Sequence, residues 1–282
     1  MHLPAYATAE LIKLALAEDI GRGDITTRAT IAAGARGKAV IKAKEPLVLC
    51  GVELIGCIYH RIDPVVRVVP AREDGDQLKK GDIIATVTGP SRALLTGERT
   101  VLNFLQRLSG VATLTRRYVS ALDKKSKTKI VDTRKTTPGW RTLEKYAVRV
   151  GGGTNHRFAL DDGILIKDNH IAAAGSIAAA VKKARAAAHH LVRVEVETAT
   201  LAEVKEAIAA KADIIMLDNM DEKTIQKAIV LIGGRAVTEL SGGVTLEWIP
   251  ALSRLGADLI SVGALTHSAP SVDINMTLTA VK

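Results

Sequence analysis

The chain has 282 residues, of which 47% are apolar and 24% charged, so one large or two ordinary domains can fold and disorder is not expected. Lys and Arg total 39 against 30 Asp and Glu, and the formal net charge of +9 admits nucleic acid or an anionic metabolite as a partner. Only 3% of the residues are aromatic, which leaves few rings to stack on bases and argues against a nucleic-acid binder.

The cysteines and the apolar runs indicate the compartment. Cys50 and Cys57 are seven positions apart and match neither a disulfide framework nor a zinc motif. The N-terminus shows no basic segment leading into an apolar one, and the run 171–181 is too short to cross a bilayer. We therefore expect a cytoplasmic protein without a membrane segment.

Residues 1–110 predict a separate α+β domain. Residues 10–18 are amphipathic and predict a helix, and a turn is predicted at 19–27. Alternating or β-branched residues predict strands at 38–44, 65–69 and 83–88. An apolar stripe at helical spacing over 92–122 predicts a helix that joins this domain to the next.

From residue 130 onward, short β-branched runs alternate with Ala-, Lys- and Glu-rich helical stretches such as 200–210 and 221–231. The runs lie at 130–131, 164–166, 192–196, 214–217, 236–237 and 259–262. The later repeats recur at roughly 20 to 25 residues, which is typical of βα units that form a parallel sheet or barrel.

The residues that follow these runs are polar or glycine. They are Arg134, Lys167, Glu197, Asp218, the turn Ser241-Gly242-Gly243, and Gly263-Ala264. A (β/α) barrel gathers such strand ends on one face, and an open doubly wound sheet collects them at its carboxyl edge. We favour the barrel because every unit contributes a residue.

Cationic side chains are concentrated in the segments 132–139, 151–157 and 165–170, which glycine and proline interrupt. They are Arg134, Lys135, His156, Arg157, Lys167 and His170. A surface ion pair is the alternative for any single arginine, but cations repeated at strand exits predict a pocket for a small, multiply charged anion.

These motifs resemble those of the quinolinate phosphoribosyltransferases. The resemblance runs nearly end to end through 18–26, 97–103, 132–139 (DTRKTTPG), 151–157 (GGGTNHR), 166–170, 194–197, 216–219, 241–243 and 260–267. It implies an α/β fold with an incomplete (β/α) barrel of the type II phosphoribosyltransferase kind at 111–267. It also implies an N-terminal α+β sandwich domain at 1–110, with which the tail 268–282 would pack.

The resemblance implies a decarboxylating transfer in de novo NAD biosynthesis. Quinolinate and phosphoribosyl pyrophosphate would be the substrates, and nicotinate mononucleotide, pyrophosphate and CO2 the products. Arg134, Lys135 and Arg157, helped by His156, would hold the two pyridine carboxylates. Arg99 would reach the same pocket from the neighbouring subunit of a homodimer.

The same resemblance assigns the second half of the site. Lys167 would approach the phosphoribosyl group, while Glu197 and Asp218 would face the ribose hydroxyls and Mg²⁺. With Lys135, these three residues form the expected catalytic set. The 5′-phosphate would be cradled by the strand-end positions Ser241, Gly242, Gly243, Gly263 and Ala264.

Several alternatives stay open at this stage. Lys167 alone could form an ion pair with a barrel carboxylate, and His170 and His267 could support the site or contact a ligand. A relative of the molybdenum-operon type would share the fold and several motifs with a different substrate. A nucleic-acid binder or a catalytically silent barrel that only binds a pyridine dicarboxylate are the non-enzymatic alternatives.

Overall fold

The fold comes from a computed structural model that describes residues 5–281. The first elements are α1 (Ala5–Ile20), α2 (Ile25–Thr30), β1 (Arg36–Ala43), β2 (Leu47–Val48), α3 (Val52–Ile62), β3 (Arg67–Pro70), β4 (Gln77–Leu78), β5 (Ile83–Pro90) and α4 (Ser91–Ser120). The next are β6 (Lys129–Val131), α5 (Arg141–Val150), β7 (Ile164–Ile166), α6 (Asp168–Ala174), α7 (Ile177–Ala187), β8 (Val194–Thr198), α8 (Leu201–Ala209), β9 (Ile214–Asp218) and α9 (Glu222–Ile232). The last are β10 (Val237–Ser241), a 3-10 turn (Leu246–Trp248), α10 (Ile249–Ser253), β11 (Leu259–Ser261), α11 (Ala264–His267) and β12 (Ile274–Val281).

The described chain divides into two compact units. Unit 1 contains residues 5–116, Thr136–Gly152 and 265–281, and unit 2 contains Arg117–Lys135 and Gly153–Ala264. The boundary predicted at residue 110 lies inside α4. No helix among residues 5–281 combines the length and the apolarity that a membrane span requires.

Unit 1 contains an antiparallel sheet whose described strands run in the order β12-β1-β5-β3. The start of α2 is set by a capping side chain. The predicted turn at 19–27 is wrong at its end, because the Asp24 carboxylate accepts the Thr27 N–H at 2.8 Å and caps α2 there. This cap satisfies a free backbone donor, so the helix starts two residues before the predicted turn would close.

Unit 2 contains a parallel sheet, and its strands within residues 5–281 run in the order β6-β11-β10-β9-β8-β7. A strand lies at each of the six places predicted after residue 130, although β8 begins two residues later than predicted and β10 shares only Val237 with the predicted run. Most strand residues are buried on both faces, as is usual for parallel strands. β6 and β7 stand at opposite ends of this order, so the barrel is incomplete, as expected.

The open edge of β6 holds the segment that leads to two predicted site residues. Thr154 forms a parallel bridge with Val131, and its N–H donates to the Ile130 carbonyl at 2.8 Å. The Asp132 N–H donates in turn to the Thr154 carbonyl at 3.1 Å. This short extension of the sheet fixes where His156 and Arg157 leave it.

Candidate active site

The carboxyl ends of the strands in unit 2 bring the predicted acidic residues onto one face. In the parallel register Glu197 pairs with Met216, Met216 with Glu239, and Asp218 with Ser241. Paired residues of neighbouring strands point to the same face, and so do residues two positions apart on one strand. Glu195, two positions before Glu197, therefore shares this face as well.

The outer part of this face holds an ion pair. Lys167 Nζ lies 2.5 Å from Glu197 Oε2, and the two side chains are 46% and 18% exposed. The alternative considered for Lys167, a pair with a barrel carboxylate, therefore exists in this structure. Because the pair reaches solvent, either partner can also contact a ligand.

Asp218 lies at a tight junction between two strand ends. The Asn219 amide donates to Asp218 Oδ2 at 2.6 Å, and the Asn219 N–H donates to the Ser241 carbonyl at 3.0 Å. Gly242 has φ +96°, and a Cβ there would lie 2.2 Å from Asn219 Oδ1. Glycine at 242 is therefore what lets the Ser241 turn approach Asp218.

The segment after β6 is organised by a buried carboxylate. Asp132 is fully buried, and its Oδ1 accepts the His156 N–H at 2.9 Å while its Oδ2 accepts the Asn155 amide at 2.6 Å. Lys135 is exposed, and its N–H donates to Thr133 Oγ1 at 3.0 Å. Asp132 thus joins the two cationic segments that the sequence placed in one pocket.

Both ring nitrogens of His156 have partners within unit 2. Nδ1 accepts the Arg157 N–H at 2.7 Å, and Nε2 lies 3.1 Å from Glu195 Oε2 and 3.7 Å from Glu239 Oε2. An Nδ1 that accepts carries no proton, so the ring proton resides on Nε2, where Glu195 lies within hydrogen-bond distance and Glu239 lies just beyond it. We call His156, Glu195 and Glu239 the inner cluster.

The same three residues could be taken for a metal site, since one potential ligand atom from each lies within 4.8 Å of the others. The ring tautomer speaks against this interpretation. Nε2 needs a lone pair to bind a metal, whereas here it carries a proton and faces the Glu195 carboxylate at hydrogen-bond distance. The inner cluster is therefore a His156–Glu195 contact with the Glu239 carboxylate beside it.

Burial and, secondly, the neighbouring Glu195 carboxylate raise the pKa of Glu239, which is about 7 once all its neighbours are included. His156, a hydrogen bond from Ser261 and Lys167 act against this rise. Because burial and a neighbouring carboxylate both disfavour its charged form, Glu239 keeps its proton to a higher pH than an ordinary glutamate.

Arg157 and Arg134 form a concentration of positive charge. Burial lowers the pKa of Arg157, and the positive charge of Arg134 lowers it further. The Arg157 guanidinium donates to the Gly163 carbonyl at 2.8 Å. The two positive charges repel each other, and an anion that binds both guanidinium groups would relieve this repulsion.

The remaining predicted residues lie as follows. Arg99 is exposed on α4, which places it in unit 1. Gly263 and Ala264 follow β11, and His170 Nδ1 accepts the Lys167 N–H at 2.9 Å at the start of α6. His267 Nδ1 lies 2.6 Å from Ser268 Oγ.

Sequence analysis missed Glu195, Glu239 and the contacts of Asp132. The signal for Glu195 was present in Val194-Glu-Val-Glu197, where two carboxylates on one strand point to the same face. Glu239 offered a single acidic residue inside a short strand. Neither signal shows that the two carboxylates meet at one histidine.

A cavity of about 540 Å³ lies within unit 2 beside the inner cluster. Its lining includes Glu195 and Glu239 and the first residues of β7, β9 and β11, namely Ile164, Ile214 and Leu259. It therefore extends toward the amino-terminal ends of the strands. A barrel-type α/β fold with arginines, a lysine and carboxylates around its strand ends is typical of enzymes that act on small polyanions.

Comparison with known proteins narrows this class. Residues 24–109 match the family described as quinolinate phosphoribosyl transferase, N-terminal domain, and residues 111–277 match the C-terminal domain of the same family. The chain belongs to the quinolinate phosphoribosyltransferase family.

Individual relatives agree with this assignment. A probable nicotinate-nucleotide pyrophosphorylase (carboxylating) of Bacillus subtilis is 52% identical over 93% of this chain and 90% of its own length. The crystal structure of NadC from Streptococcus pyogenes superposes with a TM-score of 0.96 at 45% identity, with full coverage of both chains. The nicotinate-nucleotide pyrophosphorylase of Francisella tularensis gives a TM-score of 0.93 at 39% identity, covering 99% and 98% of the two chains.

Proposed function

We propose that this protein transfers the phosphoribosyl group of phosphoribosyl pyrophosphate to quinolinate, in de novo NAD biosynthesis. The products are nicotinate mononucleotide, pyrophosphate and CO2. The observation that carries the proposal is the Arg134–Arg157 charge concentration, because quinolinate brings two carboxylates that guanidinium groups can bind. The family supports the same reaction.

The proposed division of the site follows the charges. Arg134, Lys135 and Arg157 hold the pyridine dicarboxylate, with His156 supporting Arg157. Lys167, Glu197 and Asp218 face the phosphoribosyl group, where the Lys167–Glu197 pair is exposed enough to rearrange around it. The backbone at Ser241, Gly242, Gly243, Gly263 and Ala264 receives the 5′-phosphate.

The chemistry requires no covalent enzyme nucleophile. The pyridine nitrogen attacks C1 of the sugar while the C1–O bond to pyrophosphate breaks. The resulting pyridinium accepts the electron pair of the C2–carboxylate bond as CO2 leaves, and C2 then takes up a proton. Carboxylates at Glu197 and Asp218 stabilise positive charge that develops at C1, and the arginines align the acceptor.

The donor set suits Mg²⁺. Glu197 and Asp218 present carboxylate oxygens on the same face of the sheet, and this ion prefers one or two carboxylates together with substrate phosphates. Charge on the leaving pyrophosphate is neutralised when Mg²⁺ is bound with it.

Turnover with two acceptors tests the reaction. Purified protein, phosphoribosyl pyrophosphate and Mg²⁺ should consume quinolinate and release CO2 and pyrophosphate in equal amounts. A chelator should stop the reaction and added Mg²⁺ should restore it. Consumption of nicotinate with quinolinate inert would contradict the proposal, and so would binding of quinolinate without turnover.

We further propose a homodimer in which Arg99 completes the partner's site. Arg99 is exposed on α4, so its side chain is accessible to a second copy of the chain. If Arg99→Ala and Lys135→Ala are each inactive, mixed dimers contain one intact site in two. Random exchange should then restore about a quarter of the wild-type rate. No recovery in a mixture that demonstrably exchanges subunits would contradict the shared site.

We propose a cytoplasmic location on the evidence of the thiols. Cys50 and Cys57 are both free, and burial raises the pKa of the Cys50 thiol. Unpaired cysteines of this kind suit a reducing compartment.

A further inference from the structure

The segment from Asn155 to Arg157 is held by side chains that the reaction does not use. Asp132 fixes the Asn155 side chain and the His156 N–H, and His156 Nδ1 accepts the Arg157 N–H. The ring can accept that N–H only if its plane stays in one orientation. The contact that fixes His156 Nε2 therefore also fixes the ring and, through Nδ1, the position of the Arg157 N–H.

The inner cluster fixes the Nε2 side of the His156 ring, although burial of its two carboxylates is unfavourable for folding. Glu195 and Glu239 are 4% and 1% exposed, and each has an Oε1 without a hydrogen-bond partner in the described part of the chain. Buried carboxylates with unsatisfied oxygens are unfavourable, and apolar residues of similar volume would stabilise such strands better. The feature that the two carboxylates share is His156 Nε2, at 3.1 Å and 3.7 Å.

We propose that Glu195 is a positioning residue for quinolinate binding, because it fixes the His156 ring and through it the Arg157 backbone, and that Glu239 supports it from 3.7 Å. The proposal rests on the proposed function, in which Arg157 binds a quinolinate carboxylate. Neither glutamate needs to touch the substrate, since each acts through His156. The structure thus assigns a supporting carboxylate pair beneath the anion pocket.

The direction of the effect follows from which substrate Arg157 serves. A shift of the Arg157 backbone weakens the grip on the dicarboxylate but leaves Lys167 and Glu197, which serve the sugar, in place. A displacement of about 1 Å at a binding group can cost up to two orders of magnitude in rate or affinity. The inner cluster should therefore affect one substrate selectively.

Steady-state kinetics of four variants test the selectivity. We expect Glu195→Ala to raise KM for quinolinate by about tenfold or more while KM for phosphoribosyl pyrophosphate changes by less than about twofold, and Glu239→Ala to have a smaller effect in the same direction. Glu195→Gln keeps an oxygen that accepts the Nε2 proton and should recover most of the loss, and Glu239→Gln should stay near wild type. Glu222→Ala removes an exposed carboxylate from the same unit and serves as the matched control.

Nitrogen NMR of the His156 ring gives a readout independent of turnover. Wild-type protein should show a protonated Nε2 and an unprotonated Nδ1 that accepts a hydrogen bond. Glu195→Ala should populate the other tautomer, whereas Glu239→Ala, the glutamine variants and Glu222→Ala should keep the wild-type tautomer. Circular dichroism shows which variants remain folded. If an alanine variant does not fold, the glutamine variants can still be compared with the wild type.

Specific results would overturn the proposal. Equal rises in KM for both substrates would show a general loss of structure, and an unchanged KM for quinolinate with an altered tautomer would separate His156 from Arg157. An unchanged tautomer in folded Glu195→Ala would contradict the proposal that Glu195 fixes the ring. Wild-type protein that turns over no quinolinate would instead contradict the proposed function, while the NMR comparison would still decide whether the carboxylates fix His156.

Discussion

Two carboxylates on β8, Glu197 and Glu195, are two residues apart and face the same way, yet they work in opposite environments. Glu197 pairs with Lys167 near solvent, whereas Glu195 lies in the inner cluster beside a second buried carboxylate. An exposed pair contributes little to stability and can exchange its partner for a ligand. A buried charged group that loses its partner is strongly destabilising. The partly exposed Glu197 therefore suits ligand binding, whereas the buried Glu195 suits the positioning of His156.

The largest effect should come from removing a cation of the anion pocket. We expect Arg134→Ala to lower kcat/KM for quinolinate by about two to three orders of magnitude, since a bidentate contact with a carboxylate is lost. Arg134→Lys keeps the charge without the planar fork and should fall between the two. Initial rates over a range of quinolinate concentrations measure the effect, and equal rates for wild type and Arg134→Ala would remove Arg134 from the site.

Glu239 should make stability depend on pH. Its folded-state pKa of about 7 exceeds the ordinary value of 4.5, so the folded protein binds an extra proton between these pH values. The free energy of unfolding should therefore decrease as pH rises from about 5 to about 7, by roughly 1–3 kcal/mol, and change little above that. Glu239→Gln should remove this decrease.

Urea unfolding of wild type, Glu239→Gln and the exposed control Glu222→Gln at several pH values tests this expectation. The control should follow the wild-type curve. If Glu239→Gln keeps the full decrease, another group titrates and the raised pKa does not belong to Glu239.

The strand-end turn should distinguish two adjacent glycines. Gly242→Ala places a Cβ 2.2 Å from Asn219 Oδ1 at φ +96°, whereas Gly243→Ala meets no atom within 4 Å at φ +55°. We expect a loss of about 2 kcal/mol or more for Gly242→Ala and about 1 kcal/mol for Gly243→Ala. Thermal unfolding measures both, and equal losses would show that the Asn219 contact does not constrain the turn.

The smallest effect on stability should come from the outer ion pair. Lys167→Met should change the free energy of unfolding by less than about 1 kcal/mol, because the pair is solvent-exposed. Turnover should nevertheless fall, since the proposed role of Lys167 is at the phosphoribosyl group. Denaturation and rates on one preparation separate the two quantities, and a large loss of stability would mean that the comparison between the outer pair and the inner cluster is wrong.

Much of unit 2 was predictable because its information is local. β-branched runs identify parallel strands, and strand periodicity places Glu197, Asp218 and Ser241 at the same edge. The contacts of His156 Nε2 were not predictable, since Glu195 and Glu239 lie more than 35 positions away in the sequence. Whether a strand carboxylate reaches solvent, like Glu197, or is buried, like Glu195, depends on neighbouring strands and not on its own segment. The family resemblance implied that the tail 268–282 packs with the N-terminal domain, but no local pattern indicated that β12 pairs with β1.

That last pairing has a consequence during synthesis. β12 (Ile274–Val281) pairs with β1 (Arg36–Ala43) along eight positions, so partners made more than 230 residues apart must meet. Until the ribosome has produced residues 274–281, β1 exposes an unsatisfied edge that can pair with another nascent chain. The parallel sheet of unit 2 is translated entirely within that interval. We therefore expect stalled or truncated chains to aggregate through β1. Pairing of β12 with β1 should be the step that removes this exposed edge.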